Sequence, residues 1–163
     1  MIVRSCFRRA KEADLIKIVE LCELVKKTYS LWNEYYPVWD NFYEDYNNNL
    51  LFLYEIDNKI IGAIGAEKSE WHARTLTLHM FMVHPDYRSQ GYGTALFKGT
   101  EKTLLDEGWN NLDLLVRNDN PQAIKMYIRL GYRNLGQVKT PWDFIEGKFY
   151  YLFVKDICGR GNI

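Results

Sequence analysis

An α/β fold, with a mixed sheet of six to seven strands and helices on both faces, is predicted by three features of the sequence. Apolar spacing switches along the chain between a period of two and a period near 3.6. An Asp57-Asn58 pair separates two strand-like runs, and a helix-like stretch opens at Asn120-Pro121 and stops at Gly131. With 163 residues, 47% hydrophobic and 26% charged, the composition is that of one globular domain, expected to span residues 1–163.

The elements follow in order. Residues 2–9 alternate weakly and read as a first strand. Leu15, Ile18, Val19, Cys22 and Val25 recur at helical spacing and mark the buried face of a helix. Residues 29–49 hold Trp32, Tyr35, Tyr36, Trp39, Phe42, Tyr43 and Tyr46, broken by Pro37, and predict a loop with a short second helix. Residues 50–56 and 59–67 form a hairpin, because Asp57 and Asn58 tolerate the left-handed backbone of its turn. Residues 74–83 are the next strand, stopped by Pro85. Leu96, Phe97, Thr100 and Leu104 then keep a helical period up to Gly108. Residues 112–116 read as a buried strand. Asn120 as N-cap and Pro121 in the first turn start a helix carrying Ile124, Tyr127 and Ile128. Residues 132–138 and 148–155 are two further strands, joined through Pro141, Trp142, Asp143 and Phe144.

Composition narrows the function. Lys plus Arg and Asp plus Glu both number 21, so the chain lacks the basic excess that nucleic-acid binding requires. No run approaches the roughly 20 apolar residues of a membrane span, and the first ten residues carry charges where a signal peptide is apolar. The expected location is cytoplasmic, with neither membrane nor nucleic acid as partner. Cys6, Cys22 and Cys158 are odd in number and form no C-x-x-C, which argues against a disulfide framework and a zinc site and for buried free thiols. No His pair has ligand spacing, so no metal is assigned.

Chemistry is expected in the segment that leaves the strand at Val83-His84-Pro85 and turns through Arg88-Ser89-Gln90-Gly91-Tyr92-Gly93 into a helix. Glycines there let backbone N–H groups approach a ligand, and the positive end of the helix dipole favours an anion, pyrophosphate above all. A P-loop would need Gly-Lys-Ser/Thr where Gly93-Thr94-Ala95 stands, and a dinucleotide fold a third small residue at Leu96. Neither fits.

Residues 83–93 resemble motif A of the GNAT superfamily of N-acetyltransferases, Q/R-x-x-G-x-G/A. Asn120-Pro121-Gln122-Ala123, then Tyr127, then Gly131-Tyr132 resemble that family's motif B, N-x-x-A-x-x-x-Y-x-x-x-G-F/Y. The resemblance is strong over residues 75–132, while 29–49 and 139–147 match nothing specific. It implies a GNAT fold and an enzyme that uses acetyl-CoA as donor cosubstrate. It further implies that Arg88, Ser89, Gln90, Gly91, Tyr92, Gly93 and Thr94 hold the pyrophosphate, that the Met82 and Val83 backbone pairs with the pantetheine arm as an added strand would, and that Asn120 helps hold that arm.

Acyl transfer needs a neutral amine, yet an alkyl amine with a pKa near ~10.4 is mostly protonated at pH 7. The resemblance makes Tyr127 the acid that protonates the departing thiolate; the alternative is a core tyrosine. His79 is the candidate base, placed by the period-two rule on one face with Thr77, Phe81 and Val83. The family's frequent glutamate position is Thr77 here, so Glu67 or a water chain also stays open. His84 reads as loop scaffolding and His72 as a surface turn residue. Trp32, Tyr35, Tyr36 and Trp39 either border the acceptor, by cation–π attraction or as an apolar wall, or cover the sheet. The cysteines lie outside the motif segment, so transfer is expected directly within a ternary complex. A small-molecule primary amine is the first expectation for the acceptor. A protein or peptide amine, a noncatalytic acetyl-CoA sensor and a homodimer paired through the apolar final strand are further ones.

Overall fold

The computed structural model describes residues 2–28, 38–140 and 147–159. Its elements are β1 (Ser5–Arg9), α1 (Leu15–Thr28), α2 (Val38–Asn47), β2 (Leu51–Ile56), β3 (Lys59–Lys68), β4 (Thr75–Val83), α3 (Tyr92–Asp106), β5 (Asn111–Arg117), α4 (Pro121–Arg129), β6 (Arg133–Val138) and β7 (Tyr150–Asp156). The sheet has seven strands in the order β1-β2-β3-β4-β5-β7-β6, and helices cover both faces, as the sequence predicts. β1 begins later than expected, since Ile2 and Val3 are exposed and have no face to bury. Arg74 stands outside β4 with a left-handed backbone, φ 56°.

The chain divides into two compact units, Met1–Glu67 with Met80–Thr103 and Lys68–His79 with Leu104–Ile163. In the first, Asp57 (φ 48°) and Asn58 (φ 67°) make the predicted left-handed turn between β2 and β3. Leu15, Ile18, Leu21, Cys22 and Val25 of α1 and Phe42 of α2 pack on Leu51, Leu53, Ala63, Met80 and Met82. Fully burying each such aliphatic or aromatic side chain contributes about 1.5–3 kcal/mol. On the other face α3 packs through Phe97, whose ring meets Phe81 edge-on at 4.8 Å. Arg8 of β1 braces the start of α1: its guanidinium grips both carboxylate oxygens of Asp14 (2.7 and 3.0 Å) and reaches Glu55 (2.9 Å). This pairing with Arg8 holds the Asp14 carboxyl below the usual carboxylate range.

In the second unit β4 and β5 run parallel, in register from Thr75↔Asn111 to Leu78↔Leu114. β7 is antiparallel to β5 on one side and to β6 on the other. The expectation that this apolar strand pairs with a partner is therefore corrected, because its hydrogen bonds on both sides are taken within the chain. α4 ends in a Schellman motif, with Gly131 left-handed at φ 92°, the Tyr132 N–H returning to the Tyr127 carbonyl (2.9 Å) and the Gly131 N–H to that of Ile128 (3.0 Å).

The cysteines do not share one environment. Cys22 is buried in the core and burial pushes its thiol pKa up to about 11, Cys158 is partly covered, and Cys6 is exposed, contrary to the expectation of buried thiols.

Candidate active site

β4 carries an irregularity that the period-two rule does not foresee. Met80 is buried and has a left-handed backbone, φ 52°, inside the strand. Such a conformation is uncommon for a residue other than glycine. Beyond it, Met82 packs with α1 and α2, and Phe81 packs on Phe97. Met80 and Met82 thus share one side of the strand and Phe81 takes the other, as a period of two places them. His79, partly buried, directly precedes Met80.

After Val83 the chain enters a short 3-10 turn, Pro85–Tyr87, capped by His84. The His84 Nδ1 accepts the Asp86 N–H at 3.2 Å, the His84 backbone N–H donates to the Ile61 carbonyl at 2.7 Å, and burial lowers the imidazole pKa. It scaffolds the loop. Arg88 folds back, its Nε donating to the Val83 carbonyl (3.1 Å) and its Nη2 to the Thr28 hydroxyl (3.2 Å). Gln90 donates to the Asp86 carbonyl at 3.0 Å. These bonds shape the loop from within, so the Arg88 and Gln90 side chains brace the turn.

Ser89 (φ 60°) and Gly91 (φ 87°) are both left-handed, and the first backbone bond of α3 runs from the Ala95 N–H to the Gly91 carbonyl at 3.0 Å. The N–H groups that precede Ala95 have no acceptor inside the helix. Left-handed residues just ahead of such N–H groups are a backbone arrangement that can bind an anion, and a helix dipole adds to it. Gly91 and Gly93 have different reasons to be glycine. A Cβ on Gly91 meets nothing within 4 Å, so its need is conformational; a Cβ on Gly93 would lie 3.0 Å from the Phe81 ring, so its need is space for the strand beneath. Ser89, Gln90 and Gly91 are exposed, so the loop is open to a diphosphate, which such N–H groups suit.

In the other unit Asn120 caps α4, its Oδ1 accepting the Ala123 N–H at 3.2 Å. Two residues before it, Asn118 fastens the start of β7: its Oδ1 accepts the Phe149 N–H (3.1 Å) and its Nδ2 donates to the Gly147 carbonyl (3.2 Å). Asp119 receives the Arg117 fork at 2.9 and 2.8 Å and Lys148 at 2.9 Å. Arg117 first and Lys148 next hold its carboxyl far below the usual range. Tyr127 is buried in α4 with its ring 6.2 Å from that of Tyr132 and 6.3 Å from that of Phe153. Either role foreseen for it is compatible with that burial.

His72, expected as a surface turn residue, has 40% of its side chain exposed, yet its Nδ1 lies 3.1 Å from the Oδ2 of the buried Asp113. Trp39 is 48% exposed and stacks on Tyr43 at 6.5 Å along α2, which also carries Asp40 and Glu44. Trp32, Tyr35, Tyr36, Trp142 and Phe144 lie outside the described residues. Sequence reasoning missed Asp113, Asn118 and Asp119, whose partners, apart from Arg117 beside Asp119, are distant along the chain.

Comparison with known proteins agrees with the fold. The acetyltransferase (GNAT) family model matches residues 18–132. An acetyltransferase from Pectobacterium atrosepticum is 27% identical over 145 residues, spanning 88% of this chain and 96% of that protein. The ribosomal-protein-S18-alanine N-acetyltransferase from Escherichia coli shares the fold with a TM-score of 0.70, at 20% identity over 94% of each chain. Arabidopsis thaliana Naa50, solved in complex with the bisubstrate analogue CoA-Ac-MVNAL, aligns with a TM-score of 0.74 at 21% identity, over 93% of this chain and 98% of that one. The chain belongs to the GNAT family of acetyltransferases and is, as such, an acyl-CoA-dependent N-acetyltransferase.

Proposed function

We propose that the chain, acting as one domain, transfers an acetyl group from acetyl-CoA to the primary amine of a small molecule by direct attack in a ternary complex. The observation that carries this reading is the turn from Ser89 to Thr94, where left-handed residues and the open end of α3 present backbone N–H groups to an anion. In the proposed site these groups hold the pyrophosphate, the Met82 and Val83 backbone and Asn120 hold the pantetheine arm, and Tyr127 protonates the departing thiolate. The amine first loses a proton, with His79 the candidate acceptor, and its lone pair then attacks the thioester carbonyl. The tetrahedral intermediate collapses with cleavage of the C–S bond, the thiolate takes the Tyr127 proton, and the extra proton on the attacking nitrogen leaves to water, from which Tyr127 is reprotonated, giving the amide and CoA.

An ammonium acceptor is supported by the exposed Trp39–Tyr43 stack beside Asp40 and Glu44. A protein or peptide amine is the second reading, favoured by the fold shared with Naa50, whose bound analogue joins CoA to a peptide-like group. Calorimetry with CoA and acetyl-CoA, followed by CoA release with a panel of small amines and peptides, tests both. Heat with either ligand and release with small amines supports the proposal. Release with peptides alone moves the acceptor to the second reading, and binding without any turnover leaves a sensor. No heat at millimolar ligand overturns the acetyl-CoA site itself.

A further inference from the structure

Asp113 of β5 is the most deeply buried carboxylate among the described residues, with 0% exposure. Among the described residues, three side chains reach it. The Thr77 hydroxyl donates to its Oδ1 at 2.5 Å, the Ser69 hydroxyl to its Oδ2 at 2.5 Å, and the His72 Nδ1 lies 3.1 Å from that same Oδ2. Ser69 and His72 belong to the connection between β3 and β4, where the Ser69 oxygen also accepts the Trp71 and His72 N–H groups at 3.1 Å. Thr77 lies on β4, directly opposite Asp113 in the parallel register. One carboxylate thus ties the connection to the strand that follows it.

Packing alone does not call for a charge there. Leu112 and Leu114 flank Asp113 and are buried, and a well-packed apolar residue at such a position is often as stable as a buried ionic one. What the carboxylate adds is direction. Thr77 stands two residues before His79 and three before the left-handed Met80, and a strained backbone of that kind persists only where its surroundings over-determine it. The bond from Thr77 fixes this stretch at its start.

We infer that Asp113 is a positioning residue for acyl transfer: through the Thr77 hydroxyl it fixes the stretch of β4 that carries His79 into the left-handed residue Met80. The inference rests on the reaction proposed above. Thr77→Val keeps the shape and removes the hydroxyl. Its kcat is expected to fall about tenfold while KM for acetyl-CoA stays within about twofold, as for a small misplacement of a reacting group. Backbone hydrogen exchange over residues 77–81 should speed up, whereas Thr77→Ser, which keeps the hydroxyl, should match the parent in both kcat and exchange. Ser69→Ala removes a donor from the same carboxylate on the connection side; it should lower Tm as Thr77→Val does, yet leave kcat and the exchange at 77–81 near the parent values. If the two variants change kcat and exchange alike, in proportion to their loss of Tm, Asp113 only fastens the fold and the inference is overturned. Lack of CoA release by the unmodified protein would count against the proposed reaction, and the exchange comparison would still decide whether Thr77 fixes β4.

Discussion

In the unit that ends β4 with the glycine turn, the expected ligand contacts are backbone N–H groups from consecutive residues, shaped by Ser89 and Gly91. In the other unit, the residues of interest are side chains brought together from afar: Thr77 and Asp113 meet across 36 positions, and Ser69 and Asp113 across 44. A backbone site depends on dihedral angles and tolerates varied side chains nearby, whereas a side-chain site depends on the identity of each member. Damage to the first should therefore show in donor affinity, and damage to the second in turnover.

The sharpest way to break that contrast is Tyr127→Phe, which keeps the ring packed on Tyr132 and Phe153 and removes the hydroxyl. Its kcat for CoA release should fall by about 100-fold or more, as loss of a general acid does, with KM for acetyl-CoA nearly unchanged. Unaltered kcat would return Tyr127 to the core. Next comes Gly91→Val, which forces a β-branched residue to φ 87°. The left-handed penalty of about 1–2 kcal/mol should weaken acetyl-CoA roughly tenfold by calorimetry. An affinity equal to the parent's would mean that the turn is not the cradle.

Gly93→Ala should act on stability more than on affinity, because the added methyl presses on the Phe81 ring at 3.0 Å. A Tm lower by roughly 2–4 °C, or about 1 kcal/mol in a chain of this length, and partly recovered by Phe81→Leu, would separate its role from that of Gly91. The smallest effect concerns Asp119. Its carboxyl is depressed by Arg117 and Lys148, so the folded state binds its proton less readily than the unfolded one. Its contribution is present above the unfolded aspartate value near ~3.9 and fades as the pH drops below it. Asp119→Asn should lower Tm at pH 7 by a few degrees at most, roughly 1 kcal/mol or less, and the gap to the parent should close in acid. A gap independent of pH would rule out the charge as its cause.

The sequence revealed the first unit's turn more readily than the second unit's side-chain cluster, for physical reasons. Left-handed turns at Asp57-Asn58 and Gly91 and the cap at Asn120 are local, so residue type alone announces them. The span from Tyr127 to Tyr132 was readable for the same reason, since one glycine ends the helix and returns the chain onto it. Asp113 gave no such signal: it looks like a polar break in an apolar strand until Ser69, His72 and Thr77 arrive from other elements. Met80 was hidden more deeply, because methionine has no preference for the left-handed region and its residue type does not announce it. The place of β7 between β5 and β6 was equally silent, as sequence order says nothing about which edge a later strand joins.

That insertion has a consequence for synthesis. A nascent chain that has emerged only as far as residue 140 possesses β5 and β6 but not the strand that bridges them, and two parallel strands so separated have no hydrogen bonds to share. On the ribosome, then, the half of the protein bearing Tyr127 must wait for residues 150–156 before it can close, while the half bearing the glycine turn already has every strand it needs.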